Sequence, residues 1–270
     1  MPQLVSPRSG PLPRAMTSNG CFETMRVYRG RIFRLEAHLD RLAASAQDLG
    51  VALPWDRREG ARQLQRALAS SGLQEAVVRI ALLPQTAGRA APSIVVRPAI
   101  LPPAAAYRRG IRLVVVPTRK FPVSTIDNQA KYSARLASVM AVADAQLRGA
   151  DEALWMDALG YVTESTASNF GIVREHTIVT PPCWLGLLAG ITRDILCELA
   201  ASLRIPLREL PLTRHEIYNA KEAFLTSTLK EVLPVTAIDG RRIGTGKPGP
   251  VSRRLLQAFR RLVREEARIV

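Results

Sequence analysis

A chain of 270 residues with 47% hydrophobic content can bury a substantial core and is long enough for one large domain or two modest ones. The formal net charge of +15 raises nucleic acid as a partner, since a basic face binds phosphates by releasing counterions, but the arginines are scattered in short pairs such as Arg57-Arg58 and Arg241-Arg242, and 5% aromatic content is too thin for a base-stacking platform. The composition reads instead as a solvated basic surface whose field favours a small anionic substrate.

Residues 1–19, with four prolines and a Ser-Pro-Arg-Ser-Gly stretch, lack periodicity and read as an irregular lead-in. From Cys21 the pattern changes. Residues 21–28 and 31–34 read as a hairpin turning at Arg29-Gly30, and the apolar spacing over 36–49 predicts an amphipathic helix that Gly50 ends. A second helix is expected over 56–71. The stretches 76–83, 93–98 and 111–117 are rich in Val and Ile and bounded by Pro or Gly, which makes them strands and this half an α+β unit. Periodicity lapses between Pro117 and Asn128, so residues 119–128 are the expected linker between a small N-terminal domain, 20–118, and a large C-terminal domain, 129–270. The second half opens with a helix expected over 132–147, its Leu136, Val139, Met140 and Val142 facing a core. Strands at 152–156, 161–164, 170–173 and 177–179 follow. A helix over 192–203, a strand at 207–210, a short helix opened by the Thr213-x-x-Glu216 capping box, strands near Phe224 and Val235, and an amphipathic helix over 251–267 complete the chain.

No window approaches roughly eighteen uninterrupted apolar residues, and the N-terminus has no charged region followed by an apolar one. Neither a membrane span nor a secretory signal is indicated, and the cytoplasm is the expected compartment. Cys21, Cys183 and Cys197 lie far apart and share no ligand spacing with His38, His176 and His215, so they read as reduced thiols and no metal is expected.

Five lysines stand against 33 arginines. Lys131 lies at the start of the helix expected over 132–147, where partial desolvation would lower its pKa and make its amine nucleophilic. Lys120 in the linker, Lys221, Lys230 and Lys247 have weaker contexts. Glu164 stands in the run Tyr161-Val-Thr-Glu-Ser-Thr-Ala-Ser-Asn-Phe170. Gly190-Ile-Thr-Arg193 enters a helix, where free N–H groups and the positive end of the dipole suit a phosphate and the Thr192 hydroxyl adds a donor. Ser227 and Thr228 follow a strand and offer hydroxyls and turn amides. Taken singly, each of these is ordinary: a solvated lysine, an N-cap, a strand-end turn. Their order gives them weight, because an amine, a carboxylate and phosphate-sized pockets together describe a site for pyridoxal phosphate. By contrast, Gly244-Thr-Gly-Lys-Pro-Gly249 satisfies a dinucleotide-binding pattern but opens no βαβ unit, and its prolines make it a turn.

These stretches, together with Cys21-Phe-Glu-Thr-Met-Arg-Val-Tyr28, Ala37-His-Leu-Asp-Arg-Leu42, Asp151-Glu-Ala-Leu154, Ser168-Asn-Phe170, Leu188-Ala-Gly-Ile-Thr-Arg193 and Phe224-Leu-Thr-Ser-Thr228, resemble the class IV, fold-type IV pyridoxal-phosphate enzymes, the superfamily of branched-chain and D-amino-acid aminotransferases and aminodeoxychorismate lyase. The resemblance runs from about residue 20 to the end. It implies an α/β (α+β) fold of two domains with the cofactor in the cleft, and a homodimer. Position by position, it implies that Lys131 is the Schiff-base lysine, Glu164 the acid paired with the pyridine nitrogen, and Arg41 the arginine gripping the cofactor phosphate. Ile191, Thr192, Ser227 and Thr228 match the other phosphate contacts, and Leu188 the side chain packed on the ring.

Within that family Thr24 resembles the lyases, where a hydroxyl beside the cofactor could relay a proton. Phe22 and Leu136 replace tyrosines of the D-amino-acid and branched-chain aminotransferases. The expected reaction is therefore that of 4-amino-4-deoxychorismate lyase, forming p-aminobenzoate and pyruvate, with amino-acid transamination as the alternative. Arg79, which resembles a substrate-carboxylate arginine of the branched-chain enzymes, and the Gly-Ile-Thr-Arg motif favour that alternative. A basic non-enzymatic binding protein on a degenerate scaffold is the reading of another class; intact Lys131, Glu164 and Arg41 argue against it.

Overall fold

The computed structural model describes residues 20–84, 90–124 and 128–267; the lead-in expected over 1–19 lies outside them. Two sheets organise the chain. The first is antiparallel, in the order β2-β1-β3-β4, from β1 (Cys21–Tyr28), β2 (Arg31–Ile32), β3 (Ala76–Pro84) and β4 (Ala90–Pro98). Between β2 and β3 run α1 (Leu35–Asp48) and α2 (Arg57–Ser71), the latter capped by the Asp56 carboxylate, which accepts the Glu59 N–H at 2.7 Å and contributes about 1 kcal/mol. Side chains alternate across a strand, so Cys21, Met25 and Val27 meet Leu39, Leu42, Leu64 and Leu68 of the helices. The opposite face of β1 carries Phe22, Thr24 and Arg26. Each leucine buried in this layer stabilises the fold by roughly 1.5–3 kcal/mol.

The second sheet is mixed, with the order β10-β9-β8-β11-β12-β5-β6-β7. Its strands are β5 (Ile111–Arg119), β6 (Glu152–Met156), β7 (Val162–Ser165), β8 (Asn169–Arg174), β9 (Thr177–Thr180), β10 (Leu207–Glu209), β11 (Glu222–Ser227) and β12 (Glu231–Ile238), with β13 (Arg241–Arg242) on β12. A further pairing of β7 with β8, at Glu164 opposite Asn169, closes the path from β8 through β11, β12, β5 and β6 into a ring filled by Leu113, Leu154, Phe170, Ile172, Leu225 and Leu233. Glu164 therefore stands at the seam of that closure.

β5 lies in the middle of this second sheet, parallel to both β12 and β6. The expected 119–128 linker starts at the last residue of β5 and includes 125–127, which lie outside the described residues; the chain passes from the first sheet to the second between Pro98 and Ile111, through the short α3 (Ala104–Arg109). The physical reason is the Ile111–Val116 run: Leu113, Val114, Val115 and Val116 are all buried, as a parallel strand covered on both faces requires.

The helix expected over 132–147 begins only at Leu136 (α4, Leu136–Leu147). Its would-be first turn is used otherwise. Phe22 N–H donates to Lys131 O at 3.1 Å, Ser133 N–H donates to Gly20 O at 2.6 Å, and Tyr132 forms a bridge with Cys21. The core face is also reversed. Ala141 and Ala145 pack on Val114, Val116, Ala153 and Trp155, while Leu136, Val139 and Met140 are exposed. Small side chains let α4 lie close to the sheet, so bulk is a poor guide to its inner face.

α5 (Ile191–Ser202), α6 (Arg214–Tyr218) and α7 (Pro250–Glu266) complete the chain. The Thr213/Glu216 capping box forms as the spacing predicts. The glycine run at 244–249 is a turn before α7: the Glu222 carboxylate accepts the N–H groups of Val251 and Ser252 at 2.9 and 2.8 Å, and a Cβ at Gly249 would fall 1.9 Å from that carboxyl carbon. A carboxylate already occupies this helix end. Among the described residues no helix is long and apolar enough to cross a membrane, and no group of side chains suits a metal ion.

Candidate active site

A cavity of about 770 Å³ opens between the two sheets. Of the residues singled out in the sequence, Arg41, Lys131, Glu164, Leu188, Ile191, Thr192, Ser227 and Thr228 line it. Thr24 and Arg79 do not. They face each other in the β1–β3 register, on the same sheet face as Phe22, and the Arg79 guanidinium stacks 4.0 Å from the Phe22 ring centroid. Phe22 does line the cavity.

Lys131 is held by its backbone rather than by a helix. Besides the Phe22 contact, its N–H donates to the buried Ser45 hydroxyl of α1 at 3.0 Å. Its amine lies 5.1 Å from the Phe22 ring. Burial lowers its pKa from 10.5 to about 8; the Arg41 and Arg135 charges push the same way, and Glu23 and Glu164 oppose them. A fraction of the amine near neutral pH is thus unprotonated and nucleophilic.

Glu164 is fixed from several sides. Lys120 donates to Oε1 at 2.5 Å, and Leu188 N–H and the Asn169 amide donate to Oε2 at 3.2 and 3.4 Å. Asn169 also donates to Leu188 O at 2.7 Å, tying the carboxylate to the segment that carries Leu188. Lys120, assigned to a linker by the lapse in periodicity, is therefore a cavity residue, with its ammonium 4.6 Å from the Trp155 ring.

Arg41 projects from α1 and is aimed by an acid not singled out in the sequence. Its Nε and Nη2 donate to the Glu23 carboxylate at 2.7 and 2.9 Å, and Nη1 donates to Ala189 O at 2.7 Å. Three of five N–H groups are used, leaving two for an anion. Glu23 is fully buried and also bonds His38 Nδ1 at 2.7 Å. Burial would raise its pKa, but Arg41 and His38 outweigh burial and hold it at about 2. His38 is kept neutral, its pKa lowered by burial. One signal could have revealed Glu23: it is the polar member of the inward series Cys21, Glu23, Met25, Val27, and a carboxylate at such a position requires partners.

Beside Arg41, α5 presents its N-terminus to the cavity, its Gly190 N-cap lacking any side-chain cap bond. A Cβ at Gly190 would lie 1.9 Å from Asn169 Oδ1, so only glycine lets this helix start approach so closely. Arg193 of the same motif turns away, to Pro181 O and Glu209. The β11–β12 turn adds Ser227 and Thr228. Around the same cavity the buried Ser165 and Ser168 hydroxyls have no hydrogen-bond partner among the described residues.

Residues 20–238 match the amino-transferase class IV family. A putative branched-chain-amino-acid aminotransferase of Methanocaldococcus jannaschii is 34% identical over 251 residues, covering 90% of this chain and 86% of that one. The D-alanine aminotransferase of Bacillus licheniformis is 30% identical over 263 residues, covering 92% and 89%. Among solved structures, a T.th. branched-chain amino acid aminotransferase with pyridoxamine 5'-phosphate superposes with a TM-score of 0.88 at 29% identity, covering 95% and 89%. A putative 4-amino-4-deoxychorismate lyase of Legionella pneumophila superposes at 0.84 with 23% identity, covering 95% and 96%, a likeness of fold alone.

The donor set fits pyridoxal phosphate. Free guanidinium N–H groups, uncapped helix amides and two hydroxyls suit a phosphate, the orphaned serines offer further polar contacts, and a fixed carboxylate and a partly neutral amine lie in the same cavity. A match spanning both sheets, and a cavity whose chemistry suits the cofactor of the matched family, lead to one assignment: the chain belongs to the class IV aminotransferase family of pyridoxal-phosphate enzymes.

Proposed function

We propose that this protein is an amino-acid aminotransferase whose amino donors are branched-chain amino acids, rather than the lyase expected from Thr24. The observation that carries the proposal is the 34% identity over 90% of the chain to a relative described as a branched-chain aminotransferase. The position of Thr24 supports it. That hydroxyl is the feature that points to pyruvate release, and it lies outside the cavity lining.

When bound, pyridoxal phosphate supplies an electron-withdrawing ring that accepts the pair released from the substrate Cα. The positions of the chain's own side chains around one cavity support the following roles. Arg41, the α5 amides, Thr192, Ser227 and Thr228 hold the phosphate. Glu164, a carboxylate fixed in the same cavity, would pair with the ring nitrogen. Leu188 and Phe22 supply apolar walls, and the Lys131 amine, partly neutral near pH 8, takes the Cα proton and returns it. The proposal includes a homodimer, for which the exposed Leu136, Val139 and Met140 on α4 are available apolar surface.

Purified holoenzyme given L- or D-leucine or valine with 2-oxoglutarate should release the branched 2-oxo acid, one enantiomeric series far outpacing the other, and light scattering on that sample should give twice 29.6 kDa. p-Aminobenzoate from aminodeoxychorismate, with no oxo acid from any amino acid, would reverse the choice of reaction.

A further inference from the structure

Two lysines line the cavity, Lys120 and Lys131. Lys131 has its amine 5.1 Å from the Phe22 ring, whereas the Lys120 ammonium donates to Glu164 Oε1 at 2.5 Å, the two side chains being only 10% and 9% exposed. A pair this dry is screened little by salt. Lys120 is placed by its backbone as well. Just past the end of β5 its N–H donates to Met156 O at 2.9 Å, next to the last β5–β6 pair. Its ammonium also lies 4.6 Å from the centroid of the buried Trp155 ring, a second favourable contact for a cation.

A carboxylate has about four lone-pair sites. On Glu164 the Lys120 ammonium takes one on Oε1, and Leu188 N–H and the Asn169 amide take two on Oε2. Because Glu164 lines the cavity, the capacity left on Oε1 is what a ring nitrogen can use. The other groups on which the Glu164 charge acts are Lys131, ahead of α4, Arg135, at its N-cap, and Cys183, in the turn before α5. Among the described residues none of these three donates a hydrogen bond to it. A protonated ring nitrogen would therefore bring a second cation to a carboxylate that already holds one. A cation so placed favours loss of the proton from a like-charged neighbour, by roughly one to three pH units where the separation is about 4–6 Å.

We propose that Lys120 is a positioning residue that shares the Glu164 carboxylate with the cofactor: it neutralises and aims the carboxylate before the cofactor enters, and afterwards weakens its hold on a proton at the ring nitrogen. The inference rests on the reading of Glu164 as the acid at that nitrogen, and adds what adjusts it. Trp155 lets the ammonium keep its place when its share of the carboxylate falls, since its contact with the ring face does not depend on Oε1. The ring's capacity to accept electrons is then set by a pair of residues, one of which acts through the other.

The test uses holoenzyme reconstituted with pyridoxal phosphate isotope-labelled at the ring nitrogen, whose NMR shift reports the protonation of that atom, titrated with pH in wild type, K120M, K120R and E164Q. Wild type should lose the protonated signal within the alkaline range in which it stays folded. K120M should hold that signal about one pH unit or more higher, K120R should follow wild type, and E164Q should lose it at lower pH. Cofactor-free protein supplies a second measurement that does not depend on loading. In urea unfolding K120M and E164Q should each destabilise, and the double variant should fall well short of their sum, because the pair is then removed as a unit. A K120M titration that coincides with wild type, or a wild type protonated throughout its folded range, overturns the sharing. Additive effects of the two substitutions on the cofactor-free protein overturn the pair itself. If the ring nitrogen titrates identically in wild type and E164Q, the reading of Glu164 fails and the sharing with it, and a non-additive unfolding cycle would then leave Lys120 as the partner of a buried acid only.

Discussion

Glu23→Gln replaces a fully buried carboxylate with a neutral amide of the same shape, and the structure sets the size of the effect. Arg41 and His38 hold the Glu23 pKa at about 2 against an ordinary 4.5, which at roughly 1.4 kcal/mol per tenfold corresponds to about 3 kcal/mol of folding stability. That agrees with the roughly 3–5 kcal/mol lost when one partner of a buried pair is removed. The depressed carboxylate contributes fully above its unfolded pKa, and the contribution disappears as pH falls from 4.5 toward 2. Urea unfolding of the cofactor-free protein at pH 7 should place E23Q about 3 kcal/mol below wild type. The gap should narrow below about pH 5, because protonated Glu23 comes to resemble glutamine. A gap absent at neutral pH, or one that persists unchanged well into the acid range, would show that the Glu23–Arg41–His38 cluster does not hold charge in the way its geometry indicates.

Covalent attachment of added pyridoxal phosphate to the cofactor-free protein should accelerate with pH and level off above about 8, where the Lys131 amine is neutral. Borohydride followed by peptide mapping should find the label on Lys131, and a label on Lys120, the other lysine near Glu164, would reassign the nucleophile. Because the Lys131 pKa is lowered from 10.5 to about 8, the unfolded chain binds more protons between those values, so this group should make the cofactor-free fold more stable as pH rises from 8 to 10.5; a flat or falling profile in K131M-corrected data contradicts the burial of the amine. Glu164→Gln should retain cofactor yet turn over orders of magnitude more slowly, if its ion pair with the ring nitrogen supplies several kcal/mol; near-normal turnover means the carboxylate serves mainly to fix Lys120 and Leu188.

Much of the fold is legible in the sequence because its elements are marked by local rules. The hairpin at Arg29-Gly30, the Asp56 cap of α2 and the Thr213/Glu216 box each depend on residues within a few positions of one another. Pairings made between distant segments are not marked in that way. Lys131 looks like a helix start because Leu136, Val139 and Met140 follow with helical spacing, but residues 131–133 are drawn into the edge of the first sheet by Gly20, Cys21 and Phe22. The break in periodicity after Pro117 marks neither the contact of Lys120 with Glu164 nor that of Lys131 with Phe22, both made between distant segments.

The same distinction separates Thr24 from Glu23, neighbours in one strand. Strand alternation puts Glu23 toward α1, where it fixes the arginine beside the α5 N-terminus, and puts Thr24 on the opposite face beside Arg79. Resemblance draws attention to Thr24 because it differs from glycine in related enzymes. Physical chemistry draws attention to Glu23, since a carboxylate among Cys21, Met25 and Val27 would be costly to bury unpaired. Phe22, on the face that carries Thr24, lines the cavity, so position along β1 and not parity alone keeps Thr24 outside the lining. Glu23 acts on the cavity through Arg41, while Thr24 shares its surface with Phe22 and Arg79.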